Sequence, residues 1–251
     1  MNRRQFLTQV TIASTLTGVS FAKAEKSTKK GFCGMNQQQA KLLEAVWTYN
    51  WGSTGKSEAG LEFVPMIKGT PHFRPGLFEG VTKMAQEKKA SYVLGFNEPE
   101  RKSQGDLTVA AAIDLWPKLE AIGLPLGSPA PSSDGGGMKW LDQFMSEARK
   151  KKLRIDFLAL HWYRSSNSGD FESWLKEMNR KYRLPIWITE FNAGGGDARV
   201  HERFLKDVVK SMDRLKFVDR YAYFTPGADK PGGLFKSDGS LSELGEFYRS
   251  V

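Results

Sequence analysis

The chain has 251 residues, 40% of them hydrophobic and 26% charged, with one cysteine and a formal net charge of +9 at pH 7. That balance excludes an integral membrane protein, a disordered chain and a collagen-like chain, and one cysteine excludes both an internal disulfide framework and a thiolate-rich zinc site. The length fits a single large α/β domain, and the positive charge raises nucleic acid as a partner until the distribution of that charge is considered.

Residues 1–24, MNRRQFLTQVTIASTLTGVSFAKA, read as an address. Arg3-Arg4 precede Phe6-Leu7, a mildly apolar stretch runs from Val10 to Ala22, and Ala22-Lys23-Ala24 offers small residues for cleavage. This order resembles a twin-arginine signal peptide. The apolar stretch is too short and too polar to span a bilayer, so no stable membrane anchor is expected. Removing Arg3, Arg4 and Lys23 leaves 34 basic against 28 acidic residues, or 34 − 28 = +6. A periplasmic or secreted protein follows. Its expected partner is an extracellular polysaccharide, with no nucleic acid, and it is expected to be a monomer. Residues 25–30, EKSTKK, read as a flexible spacer.

From residue 31 onward, short apolar runs alternate with helix-period segments. The runs are Gly31–Met35, Ala45–Trp51, Glu62–Ile67, Tyr92–Phe96, Leu124–Ser128, Phe157–His161, Ile186–Phe191 and Arg220–Phe224. Most are continuous rather than alternating, as expected of parallel strands buried on both faces. Between them, helices are predicted over Leu107–Ile122, Met138–Lys151, Phe171–Tyr182 and Arg199–Arg214, with weak helix at Ser242–Arg249. Asp106 reads as an N-cap and Gly123 as a C′ residue. The segment Gly52–Gly60 is too short and Gly/Ser-rich for much helix. The alternation predicts an α/β fold over residues 31–251: one compact (β/α)8 TIM barrel with short or missing helices in places.

In such a barrel the chemistry sits at the C-terminal strand ends. The fourth run ends Gly95-Phe96-Asn97-Glu98, and the seventh ends Ile188-Thr189-Glu190. Two carboxylates converging from opposite sides of a rim suit glycosidic cleavage: one protonates the leaving oxygen, the other attacks or stabilises the anomeric carbon. Neither role needs a metal or a cofactor, and none is expected. Residue types alone do not say which glutamate has which role.

Several segments resemble glycoside hydrolase family 128, the Asl1-like group of endo-β-1,3-glucanases, within the clan of retaining (β/α)8-barrel glycosidases. They are Trp47-Thr48-Tyr49-Asn50-Trp51-Gly52, Phe63-Val64-Pro65-Met66, Leu94-Gly95-Phe96-Asn97-Glu98-Pro99, Gly127-Ser128-Pro129-Ala130, Asp156–Tyr163 and Trp187-Ile188-Thr189-Glu190-Phe191. The resemblance implies a β-1,3-glucan substrate, Glu98 as general acid/base, Glu190 as nucleophile, and Asn97 on the sugar 2-hydroxyl. It also leads one to expect a raised pKa on Glu98. The chain departs from the family pattern at Lys68, near which members often carry a tryptophan, and at the glycine runs Asp134–Gly137 and Ala193–Gly196. These read as flexible loops on the substrate face.

Aromatic residues make up 12% of the chain, more than a minimal core needs. Tyr49, Trp51, Trp162, Tyr163 and Tyr223 are candidates for sugar stacking. Asn50 and His161 are candidate polar contacts. Trp47, Tyr49 and Trp51 should share one face of their strand, with Asn50 on the other. Trp116, Trp140 and Trp174 are expected to pack helices, Cys33 to be an inert buried thiol, and His72 and His201 to lie on the surface. The same residues would also suit a non-catalytic glycan-binding barrel, or a glycosidase for a different envelope or exopolysaccharide.

Overall fold

The computed structural model describes residues 26–251, so the twin-arginine segment lies outside the described residues. Six parallel strands form one sheet: β1 (Lys30–Cys33), β2 (Trp47–Tyr49), β3 (Glu62–Phe63), β4 (Leu158–Trp162), β5 (Ile186–Phe191) and β6 (Val218–Tyr223), in the order β3-β2-β1-β6-β5-β4. The expected closed eight-stranded (β/α)8 barrel is thereby corrected to an α/β fold with a six-stranded sheet and seven helices among the described residues.

The physical reason lies in the two missing strands. Residues 92–96 and 124–128 make only isolated parallel bridges, Met66 to Leu94, Val93 to Leu126 and Gly127 to Phe157. Pro65, Pro125 and Pro129 punctuate these segments and have no N–H to donate, so no continuous ladder develops. Pro65 and Pro125 still accept, from the amides of Leu94 (2.9 Å) and Val93 (3.0 Å). With their return bonds, Ile67 N–H to Leu94 O and Gly127 N–H to Val93 O (both 3.0 Å), they tether the two segments in the space between β3 and β4.

The helices are α1 (Gln37–Leu42), α2 (Leu77–Gln86), α3 (Val109–Glu120), α4 (Gly135–Lys150), α5 (Ser168–Tyr182), α6 (Ala198–Arg214) and α7 (Glu243–Ser250). Side chains of Asn36, Thr108, Asp134, Asn167, Asp197 and Ser242 cap α1 and α3–α7 by accepting N–H bonds of the first turn. Thr108, rather than Asp106, therefore opens α3. Gly135–Gly137, expected as a flexible loop, instead forms the first turn of α4, because Asp134 accepts from Gly137 N–H at 2.9 Å.

Two apolar clusters flank the sheet. One packs helices on it and includes Trp116, Phe144, Phe171, Leu205 and Met212. The other is inner and aromatic: Cys33, Trp47, Tyr49, Val64, Met66, Leu94, Phe157, Trp187 and Ala222. It draws residues from both edges of the sheet, so one face is filled by its own side chains. Phe157 stacks on Trp187 at 4.1 Å, and Trp47 lies against β1, where a Cβ at Gly31 would come within 2.3 Å of its ring. Burial of such rings contributes about 2–3 kcal/mol each before ordering costs.

The spacer expected at 25–30 is anchored at its C-terminal end. Lys29 Nζ donates to the carbonyls of Met212, Asp213 and Leu215 at the end of α6. Lys30 Nζ, on the opposite side of the chain, donates to Tyr248, Arg249 and Val251 at the end of α7. Each ammonium gathers carbonyls that a helix C-terminus leaves unpaired and faces the negative end of its dipole. Burial, reinforced by Lys26, pulls the Lys30 ammonium down to about 8, even though Asp213 acts the other way. No helix among the described residues is long and apolar enough to cross a membrane.

Candidate active site

The C-terminal strand ends open into a cleft of about 480 Å³. Glu98, Asn97 and Gln104 line one side, and Glu190, Trp51, Tyr163 and Phe224 line the other, with Lys68 also exposed to it.

Glu190 reaches the cleft through an irregularity in β5. Strict alternation would set it on the helix-facing side with Ile186 and Ile188, both of which pack in the outer cluster. The pairing register between β4 and β5 slips by one residue, so that Leu160 faces Ile188 but His161 faces Glu190. Thr189 is the extra residue, and its hydroxyl donates to the Leu160 carbonyl. This bulge turns Glu190 inward beside His161.

The Glu190 carboxylate is 5% exposed and well supplied with donors. Its Oε1 accepts from Trp51 Nε1 at 2.7 Å and lies 3.2 Å from the Tyr49 hydroxyl; its Oε2 accepts from Tyr163 Oη at 2.5 Å. Tyr49 has one proton to share between Glu190 and the Thr189 carbonyl, 3.0 Å away. A carboxylate held by charge-assisted bonds of this kind is oriented as the ionised form. Burial, and then the Glu190 charge, push the Tyr49 and Tyr163 hydroxyls well above their usual range, so both remain donors.

Glu98 sits in a different setting. It follows the tethered segment 92–97 and adopts a left-handed backbone, φ 38°. A non-glycine residue there carries strain of roughly 1–2 kcal/mol. The strain is held by Glu98 N–H to Ala130 O at 2.8 Å and Asn97 N–H to Lys68 O at 2.9 Å. Trp51, facing it across the cleft, has φ 55°. Glu98 Oε1 lies 3.4 Å from His161 Nδ1, and Oε2 lies 3.6 Å from Arg101 Nε.

His161 touches both carboxylates. Its Nε2 is 3.4 Å from Glu190 Oε1 but out of line for a hydrogen bond, which leaves that buried nitrogen without one. Burial pushes the imidazole pKa down, but the Glu190 charge and the bond and charge of Glu98 outweigh it, so the net shift is upward from 6.5. For Glu98, burial acts upward; the His161 bond and charge and the Arg101 charge overcome it, and the net shift is downward from 4.5. The raised Glu98 pKa expected from sequence is thus reversed in the open cleft. A proton shared by this pair resides on the imidazole.

The other predicted residues separate into two groups. Asn97 lines the cleft, and its buried Oδ1 has no partner, leaving an acceptor for a ligand hydroxyl. Trp51 and Tyr163 line it too. Trp51 packs edge-on to Phe224 and Tyr49, so its indole both borders the cleft and orients Glu190. Tyr49 is fully buried beneath Glu190, stacked on Trp47. Asn50 is turned away and closes its own loop, with Oδ1 accepting from Gly52 N–H and Nδ2 donating to Thr54 O. Trp162 packs behind the sheet on Phe171 and Trp174. Tyr223 is buried, donating to Gly232 O at 3.0 Å. His201, expected at the surface, is 4% exposed and lies against Tyr223 and Gly232. Sequence reasoning did not single out Gln104 or Phe224 as cleft residues. Gln104 carries no local signal; Phe224 lies just past the end of β6 and packs against the inner cluster, whereas Tyr223 packs in the outer one.

A paired-carboxylate cleft of this kind, lined by rings and free acceptors at parallel strand ends, defines a glycosidase-type site. The comparisons agree. A family model described as a glycosyl hydrolase catalytic core matches residues 20–248. The endo-β-1,3-glucanase of Amycolatopsis mediterranei, solved with laminaritriose, is 31% identical with a TM-score of 0.78, over 89% of this chain and 99% of that one. Alanine variants of that enzyme at two different glutamates have also been solved with laminari-oligosaccharides. A curdlan-specific exo-β-1,3-glucanase of Blastomyces gilchristii, solved with glucose, is 31% identical with a TM-score of 0.76, over 89% and 98% of the two chains. Alkali-sensitive linkage protein 1 of Schizosaccharomyces pombe is 34% identical over 225 residues, 81% of this chain; the match spans 40% of that relative's length. The chain belongs to glycoside hydrolase family 128.

Proposed function

We propose that the protein is an exported endo-acting glycoside hydrolase that cleaves β-1,3-glucan by double displacement, with Glu190 as nucleophile and Glu98 as general acid/base. The observation that carries the assignment of roles is the contrast in donors. Glu190 is fixed as a carboxylate by Trp51 and Tyr163, with Tyr49 beneath it. Glu98 instead faces His161 Nδ1 at 3.4 Å and Arg101 Nε at 3.6 Å. The glucan substrate rests on the relatives' activity, together with the ring-lined cleft.

In the first step a Glu190 oxygen attacks the anomeric carbon. The leaving oxygen takes from Glu98 the proton that His161 Nδ1 has passed to it. Substrate filling the cleft displaces water and favours the neutral carboxyl, moving the proton from imidazole to Glu98. The glycosyl ester removes the Glu190 charge, one of the causes that hold His161 protonated. Glu98, now ionised, takes a proton from water, whose oxygen attacks the anomeric carbon and releases Glu190. Two inversions give net retention. Asn97 Oδ1 accepts from the sugar 2-hydroxyl.

Glu190→Gln should lower reducing-sugar release from laminarin by about 10³-fold or more. Undiminished hydrolysis would overturn the mechanism, and release of the α-anomer by wild-type protein, read by proton NMR, would overturn retention. Export is supported by the basic, apolar and small-residue order of residues 1–24. Periplasmic delivery of an Arg3→Lys, Arg4→Lys double variant would exclude the twin-arginine route.

A further inference from the structure

Lys68 has no role in the chemistry above, yet it faces the same cleft as Glu98, Asn97 and Gln104. Its backbone is not free to move away. Lys68 O accepts from Asn97 N–H at 2.9 Å, and Thr70 N–H donates to Gly105 O at 2.9 Å. Gly69, at φ 146°, packs so closely that a Cβ there would lie 2.3 Å from Gly105 O. The loop carrying Lys68 is therefore pinned to the loop carrying Glu98.

The charge of Lys68 is unanswered by the protein. Among the described residues no carboxylate lies within ion-pair distance of it, whereas Arg101 nearby serves Glu98, Glu100 and Asp134. The charge on Glu98 is met by His161 and Arg101. Arg74, further along the Lys68 loop, also lacks an acidic partner among the described residues and donates to Ser53 Oγ instead. Exposed His72 lies between them in sequence; slight burial, then the Lys68 and Arg74 charges, lower its pKa, which keeps it neutral and leaves Lys68 and Arg74 as the two charges of this loop. A neutral glucan offers this ammonium hydroxyl acceptors but no counter-charge.

We propose that Lys68, with Arg74 beyond it, makes this cleft a reader of anionic substituents, so that the preferred substrate is a β-1,3-glucan chain bearing pendant acidic groups. The inference rests on the β-1,3-glucanase reading and deepens it. The chemistry required is a carboxylate or phosphate ester hung from a sugar that occupies the Asn97–Gln104 side of the cleft. There Lys68 donates to the anion while Asn97 and Gln104 meet the hydroxyls.

The test is calorimetric binding to the full mature protein carrying Glu190→Gln, which removes turnover. The probes are a laminari-oligosaccharide and the same oligosaccharide carboxymethylated at low density. The expected result is about three- to fivefold tighter binding of the carboxymethylated probe at low salt, the size of one partly exposed ion pair. The preference should shrink at high salt and vanish when Lys68→Gln is added. Lys68→Arg should keep it, which separates charge from a merely structural role. Equal affinities, or a preference that survives Lys68→Gln, would overturn the proposal while leaving the glucanase reading intact. Failure to bind either probe would overturn both.

Discussion

The two ends of the sheet differ in how far they satisfy buried polar groups. At the N-terminal end Lys30 spends all its donors on three helix-terminal carbonyls, and Arg220 pairs with Glu62 at 2.7 Å while stacking on Trp187 and Tyr92. Even there Arg220 Nη1 and Glu62 Oε1 go unmatched. At the cleft end Asn97 Oδ1, Glu100 Oε2, Ser132 Oγ and His161 Nε2 are all buried without partners, and Trp51 and Glu98 hold positive φ. The first arrangement stabilises the chain. The second keeps strain and free valences at the place where a ligand can use them.

The sharpest way to break this comparison is to change each end separately. Glu98→Ala should lower kcat on unactivated glucan by about 10²–10⁴-fold, with azide restoring turnover of an activated glycoside. Its thermal midpoint should stay near that of the parent. A large fall in Tm would mean that the cleft end also holds the fold together. At the other end, Lys30→Met strands the α7 carbonyls and should cost about 2–4 kcal/mol, a drop in Tm of roughly 5–15 °C. Per folded molecule, its kcat should be unchanged; reduced kcat in a fully folded sample would show that the two ends are coupled.

Smaller changes refine the cleft itself. Trp51→Phe keeps the ring but removes the 2.7 Å bond to Glu190, and should lower kcat about tenfold with little change in KM. A change in KM alone would make Trp51 a stacking residue only. The mildest effect is on pH. His161 is held above 6.5, so its contribution to stability is complete below 6.5 and is lost as pH rises through the higher folded value. Glu98 is held below 4.5, so its contribution is complete above 4.5 and is lost as pH falls through the lower folded value. Both contributions are complete between 4.5 and 6.5. His161→Gln removes the proton source of Glu98, which is also the largest downward influence on it, and should move the alkaline limb of kcat/KM to lower pH. An unmoved alkaline limb would take His161 out of the proton account.

Much of the site was legible because its residue types are local. Asn97-Glu98 and Glu190 each close an apolar run, and Trp47, Tyr49 and Trp51, expected on one face of their strand opposite Asn50, do pack in sequence. The fold was legible as α/β alternation. Its strand count was not, because Pro65, Pro125 and Pro129 break ladders that a hydropathy pattern counts as whole. Asn50, Trp162 and Tyr223 sat at the right strand ends, but their directions depend on neighbours distant in sequence.

The sequence by itself determined the alternation and placed the two glutamates at the ends of apolar runs. These follow from apolar periodicity and residue type. Tertiary structure alone decided that Thr189 bulges so that Glu190 turns inward, and that one imidazole joins both carboxylates and reverses the expected shift on Glu98. It also decided that Lys68 faces the cleft with no counter-charge. Register between strands and the sum of charges around a buried group are properties of the packed chain. No window of sequence contains them.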